Sequence, residues 1–167
     1  MFKHILMPTD GSEHSEGAIK RGMELAKLCN AKVTGIHVVP DYHLMIAYEG
    51  AFDPVTEEKI EEEARQRAAS FLDFVKKTAA ASNVPCDTVV ATSDHPYDAI
   101  VNIANERGCD LIVMTLRYRK GLVKLIMGNE ATRVLHRASI PVLVFRGIMS
   151  ADHPDREKMK ALDAAKA

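Results

Sequence analysis

Residues 110–146, DLIVMTLRYRKGLVKLIMGNEATRVLHRASIPVLVFR, decide the fold. Leu111 to Met114 is a continuous apolar run, closed by Asp110 on one side and a charged loop on the other. Pro141 to Phe145 repeats the pattern. Continuous rather than alternating apolarity marks a strand covered on both faces, as in a parallel sheet. Between the two runs, Gly128-Asn129-Glu130 predicts a helix start. Asn is a good N-cap, and Glu in the first turn suits the positive end of the helix dipole. Open α/β sheets bind ligands in the loops at the carboxyl ends of their strands, and a helix N-terminus offers unpaired N–H groups to an anion. The loop carrying Arg117, Arg119 and Lys120, together with the helix start at Gly128, is therefore the first candidate for function.

Upstream, the same alternation recurs. Lys3 to Met7 is a short apolar strand, and Pro8-Thr9-Asp10-Gly11-Ser12 turns it into a helix with Ser12 as N-cap and Glu13 in the first turn. Ala18, Gly22, Leu25, Ala26 and Cys29 make one small-residue face, and Asn30 is the expected stop. Val33 to Val39 is the second strand, at the spacing of a parallel crossover. Residues 40–54 are rich in apolar side chains (Tyr42, Leu44, Met45, Ile46, Tyr48, Phe52). They read as a flap on the sheet edge, or as a lid or partner contact. Pro54 to Ser82 is a long amphipathic helix with Ile60, Ala64, Phe71, Leu72, Val75 and Ala79 on one face. Glutamates crowd its first turns, and Lys76 and Lys77 are expected in its last. That acidic run lies on one element, so it reads as a solvated face and not as a metal site. Val84 to Thr92 is the third strand. Asp94 is predicted to cap a helix with Pro96 near its start, Ile100, Ile103 and Ala104 on its buried stripe and Gly108 at its end. The order predicts an α/β class with a single domain and one parallel sheet over residues 1–147. Residues 148–167 form a polar tail, either a short helix or disordered.

The bulk properties exclude several classes. A chain of 167 residues suits one domain with a sizeable core. A net charge of −1 leaves no footprint for nucleic acid or an anionic membrane. No apolar run is long enough to span a bilayer, and Pro8 and Asp10 break the apolar N-terminus too early for a signal peptide. Cys29, Cys86 and Cys109 form no C-x-x-C pair and read as reduced packing thiols of a cytoplasmic protein. The histidines are scattered and none reads as a metal ligand. Neither a G-x-S-x-G elbow nor a Walker A pattern is present.

The N-terminal ILMPTDGSEHSEGAIKRGMELA, the HVV closing the second strand, and DLIVM…GLVKLIMGNEATRVLHRASIPVLVFR together resemble the universal stress protein family over residues 2–146. The resemblance implies a Rossmann-like five-stranded parallel sheet and a homodimer pairing through the last strand, Val142–Phe145. It also implies an adenine-nucleotide site for ATP with Mg²⁺. The nucleotide-binding branch carries Gly-x-x-Gly, nine residues, then Gly-Ser or Gly-Thr. Here Thr115 and Tyr118 stand at the first two glycine positions, and Gly128-Asn129 closes the motif. By the resemblance Asp10 meets the adenosine end and the backbone at Val38 lies by the base. Pro8, Thr9, Met114, Thr115, Arg117, Arg119, Gly128, Asn129 and Glu130 complete the expected site. A Cβ at a glycine position of positive φ would cost on the order of 1 kcal/mol and block close approach to a phosphate. A stress-response or signalling protein is the first functional expectation. A non-nucleotide interaction module is the second. A slow ATPase or self-phosphorylating protein is the third, and the sequence supplies no evident general base for it.

Overall fold

The computed structural model describes residues 1–41, 54–116 and 130–146. Five strands, β1 (His4–Pro8), β2 (Lys32–Val39), β3 (Cys86–Thr92), β4 (Leu111–Leu116) and β5 (Val142–Arg146), form one sheet in the order β3-β2-β1-β4-β5. Every neighbouring pair runs parallel. The helices are α1 (Glu13–Cys29), α2 (Pro54–Ser82), α3 (Pro96–Glu106) and α4 (Glu130–Arg137). The α/β class and the parallel five-stranded sheet are as the sequence predicts. Residues 42–53 of the 40–54 flap, the 117–129 loop with Arg117, Tyr118, Arg119, Gly128 and Asn129, and the 148–167 tail lie outside the described residues.

Successive residues of β1 point to opposite faces, and each face has its own core. Ile5 and Met7 join Ile19, Met23 and Ala26 of α1, Val75 and Ala79 of α2, and Val113 of β4. Leu6 joins Ile36 of β2, Ile100, Val101 and Ala104 of α3, Ile112 of β4, and Ala131 and Val134 of α4. A strand buried on both sides needs apolar residues at nearly every position, which is why ILM and LIVM read as unbroken runs. The chain winds outward from β1 through β2 to β3, then returns to β4 on the other side of β1. The direction of winding therefore reverses between β1 and β4.

Some local expectations are corrected. Asp94 does not cap α3: His95 is the N-cap residue and makes no side-chain cap bond, while the Asp94 carboxylate accepts from the Asp41 N–H at 3.1 Å. Val84 precedes β3; its N–H closes the end of α2 on the Ala79 carbonyl, after Asn83 at φ 54°. Lys76 and Lys77 sit more than a turn before the end of α2, and Lys77 pairs instead with Asp73 at 2.6 Å. Leu25 and Cys29 are only half-buried, and Ile19 and Met23 take the core positions of α1. The expected stop at Asn30 holds: its φ is 52° and its N–H reaches the Ala26 and Lys27 carbonyls.

The amino-terminal end of β1 carries a buried histidine. His4 is 6% exposed, bonded through Nε2 to Thr34 Oγ1 at 2.8 Å, and its Nδ1 has no hydrogen-bond partner among the described residues. Burial first, then the Lys32 charge, pushes its pKa below the ordinary value; the Arg107 main chain and the Asp110 carboxylate oppose this. The unfolded chain therefore binds a proton near pH 6.5 that the folded chain refuses. Stability should fall as pH drops through about 6.5, and flatten once the folded-state pKa is passed. Urea denaturation between pH 7.5 and 5.5 measures this. A His4→Gln variant should lose that part of the slope, and an unchanged slope would rule out His4 as its source.

A candidate ligand rim at the carboxyl ends of β1 and β4

The reversal of winding places the β1–α1 turn beside the end of β4, the position where open sheets of this kind hold ligands. The turn is built from its own hydroxyls. Thr9 is buried; its N–H donates to the Ile36 carbonyl at 2.9 Å, and its Oγ1 lies 3.2 Å from Ser15 Oγ and accepts from the Gly11 N–H. The Asp10 carboxylate, exposed at the rim, accepts from the Ser12 N–H at 3.0 Å and the Ser12 hydroxyl at 2.6 Å, an Asx turn that starts α1. Ser12 in turn accepts from the Ser15 N–H as N-cap. Gly11 takes a φ of +72°, open to glycine and rarely to other residues.

Pro8 closes β1, Val38 is half-buried one residue before the end of β2, and Met114 is buried in β4. Thr115 lies within β4 and not in the loop after it. It pairs with Phe145 of β5, and its hydroxyl donates to the Phe145 carbonyl at 3.2 Å. Its φ is not positive, so its Cβ carries none of the strain feared at a motif glycine. Glu130 opens α4, but its carboxylate accepts from the Tyr97 N–H at 2.9 Å and so satisfies the start of α3. Arg133 lies over the Tyr97 ring at 5.2 Å and Arg137 pairs with Asp98 at 2.9 Å, which fastens α4 to α3.

The rim thus gathers Pro8, Thr9, Asp10, Val38, Met114, Thr115 and Glu130 of the expected residues. The sequence reading missed Ser15, His37 and Phe71. Ser15 bonds back to the Ser12 carbonyl at 2.8 Å, His37 Nδ1 meets the Thr9 carbonyl at 2.8 Å, and the Phe71 ring stands against His37. The only signal for His37 was its place in the HVV that closes β2. Phe71 read as one of several apolar residues on a helix face. Among the described residues no three His, Cys, Asp or Glu side chains converge on a metal site.

The universal stress protein family model matches residues 1–146. The chain is a member of the universal stress protein family. Universal stress protein MJ0531 of Methanocaldococcus jannaschii is 33% identical over 147 residues, covering 87% of this chain and 83% of the relative. The solved structure of MJ0577, a universal stress protein of the same organism, superposes with a TM-score of 0.73 at 25% identity, over 90% of this chain and 99% of that one. Two more universal stress protein structures share the fold: one in complex with cAMP (TM-score 0.60, 21% identity, 86% and 95% covered), and one from Archaeoglobus fulgidus in complex with dAMP (TM-score 0.60, 18% identity, 86% and 97% covered). Among the described residues of this family member no helix is long and apolar enough to cross a membrane.

Proposed function

We propose that this universal stress protein binds an adenine nucleotide at the β1–β4 rim and acts as a homodimeric, cytoplasmic stress-response or signalling protein. The observation that carries the reading is the juxtaposition of the Thr9–Asp10–Gly11 turn with the end of β4 where the winding reverses. The complexes of two relatives with cAMP and dAMP support an adenosine ligand. Asp10 would meet the ribose or base, the Val38 backbone would line the base, and Gly128, Asn129, Arg117 and Arg119 would hold phosphates. Mg²⁺ would ride on the phosphates, since the described residues offer it no cluster of their own. The dimer would pair through Val142–Phe145 of β5, an outermost strand on which Leu143 is exposed.

Calorimetry with ATP on protein stripped of ligand tests the nucleotide. Asp10→Ala should weaken binding by about tenfold, or roughly 1.4 kcal/mol. Absence of heat from the unsubstituted protein at high micromolar ATP would overturn the reading. Sedimentation as a monomer would remove the dimer. A non-nucleotide interaction module is the second reading, favoured by the hydrogen bonds that Thr115 and Glu130 spend inside the fold.

A further inference from the structure

Two side chains hold the β1–α1 turn from behind. His37 leaves β2 on the α1–α2 side, and its Nδ1 lies 2.8 Å from the Thr9 carbonyl oxygen. A carbonyl only accepts, so Nδ1 carries the proton and donates. Phe71 of α2 sets its ring edge-on to this imidazole, with centroids 5.1 Å apart and planes at 74°. The same ring occupies the space beside Gly11. A Cβ built on that glycine would stand 2.1 Å from Phe71 Cε1 and 2.4 Å from Cδ1 and Cζ. One hydrogen of the Gly11 Cα therefore faces the ring. Phe71 is half-buried and packs on neither of the two core clusters. It touches the turn and the residue that bonds the turn.

Other bonds of the turn run to α1 and to the Ile36 carbonyl. Gly11, the most permissive backbone in the segment, keeps its N–H on Thr9 Oγ1 at 3.2 Å, and its Cα needs a packed neighbour to fix it. Phe71 supplies that neighbour. A glycine turn released from the ring samples other conformers, and a ligand must then select the competent one, which lowers its apparent affinity by the lost population.

We propose that His37 and Phe71 are positioning residues for the ligand at this rim: β2 and α2 use them to hold Thr9–Asp10–Gly11 in the pose in which Asp10 meets the nucleotide. This deepens the adenine-nucleotide reading and rests on it. The turn serves the adenosine end and not the phosphates, so loosening it weakens ATP and AMP by the same factor.

The test uses the full chain, calorimetry with ATP and with AMP, and amide hydrogen exchange by NMR. Phe71→Ala should weaken both nucleotides by about tenfold alike. His37→Ala should do the same. His37→Asn, whose amide nitrogen stands close to where Nδ1 stood, should keep binding within about threefold. Leu72→Ala, the buried neighbour on α2, is the structural control: it should lower the melting temperature and leave both affinities unchanged. Binding by Phe71→Ala equal to that of the unsubstituted protein overturns the proposal, as does an equal loss in Leu72→Ala. No binding by the unsubstituted protein overturns the nucleotide reading itself. Exchange then decides the clamp separately: the Gly11 and Ser12 amides should exchange about tenfold faster in Phe71→Ala, and unchanged exchange overturns it.

Discussion

Gly11→Val should destabilise the protein by about 2–5 kcal/mol, the sum of two independent costs. The backbone at Gly11 has φ +72°, where an L side chain costs about 1–2 kcal/mol and a β-branched one fares worst. The new Cβ would also arrive 2.1 Å from Phe71 Cε1, and overpacking of this kind costs about 1–3 kcal/mol. For a chain of this size the melting temperature should fall by roughly 10 °C. The two costs separate in a double-mutant cycle with Phe71→Ala. Removing the ring should relieve the clash and leave the backbone cost, so the pair should be less damaged than the sum of the singles. Urea unfolding followed by circular dichroism measures all four proteins. A loss below about 1 kcal/mol in Gly11→Val would mean that the turn reshapes at little cost.

Ile112→Ala is expected to cost about 2–5 kcal/mol. Ile112 is fully buried in β4, paired to Leu6 of β1 on one side and Val142 of β5 on the other. It lies in one core cluster with Ala131 and Val134, the buried face of α4. Truncation therefore removes transfer free energy and opens a cavity under the helix that leads away from the candidate rim. Ile112→Val, which keeps most of the volume, should cost only about 0.5–1.5 kcal/mol. Equal losses for the two variants would show that the site relaxes around the missing carbons instead of holding a cavity.

The sheet was legible because its grammar is local. Runs such as ILM and LIVM need no partner to be recognised as doubly covered strands, and Asn30 announces a helix end by its own backbone preference. The start of α3 was misread for the opposite reason. Asp94 has the chemistry of a cap, but its carboxylate is engaged by Asp41, and the Tyr97 N–H is served by Glu130, 33 residues further along. No pattern around residue 94 encodes that exchange. Thr115 was placed at a loop glycine because β4 runs two residues beyond its apolar run, to Leu116. The site divides in the same way. Asp10 and Gly11 are visible as a turn signature, whereas His37 and Phe71 matter only because β2 and α2 bring them to the back of that turn.

The outermost strands, β3 and β5, give the sheet two dissimilar margins. If copies join like to like, β5 against β5, a two-fold axis closes the assembly at two chains and growth stops. If β5 met β3, each copy would leave one fresh margin for the next, and the array would lengthen without limit. Asp87, the second residue of β3, is held by Arg107 at 2.8 Å, and charge at a margin disfavours such ribbons. The same strand order that creates the rim thus makes selectivity between margins a condition of remaining dispersed.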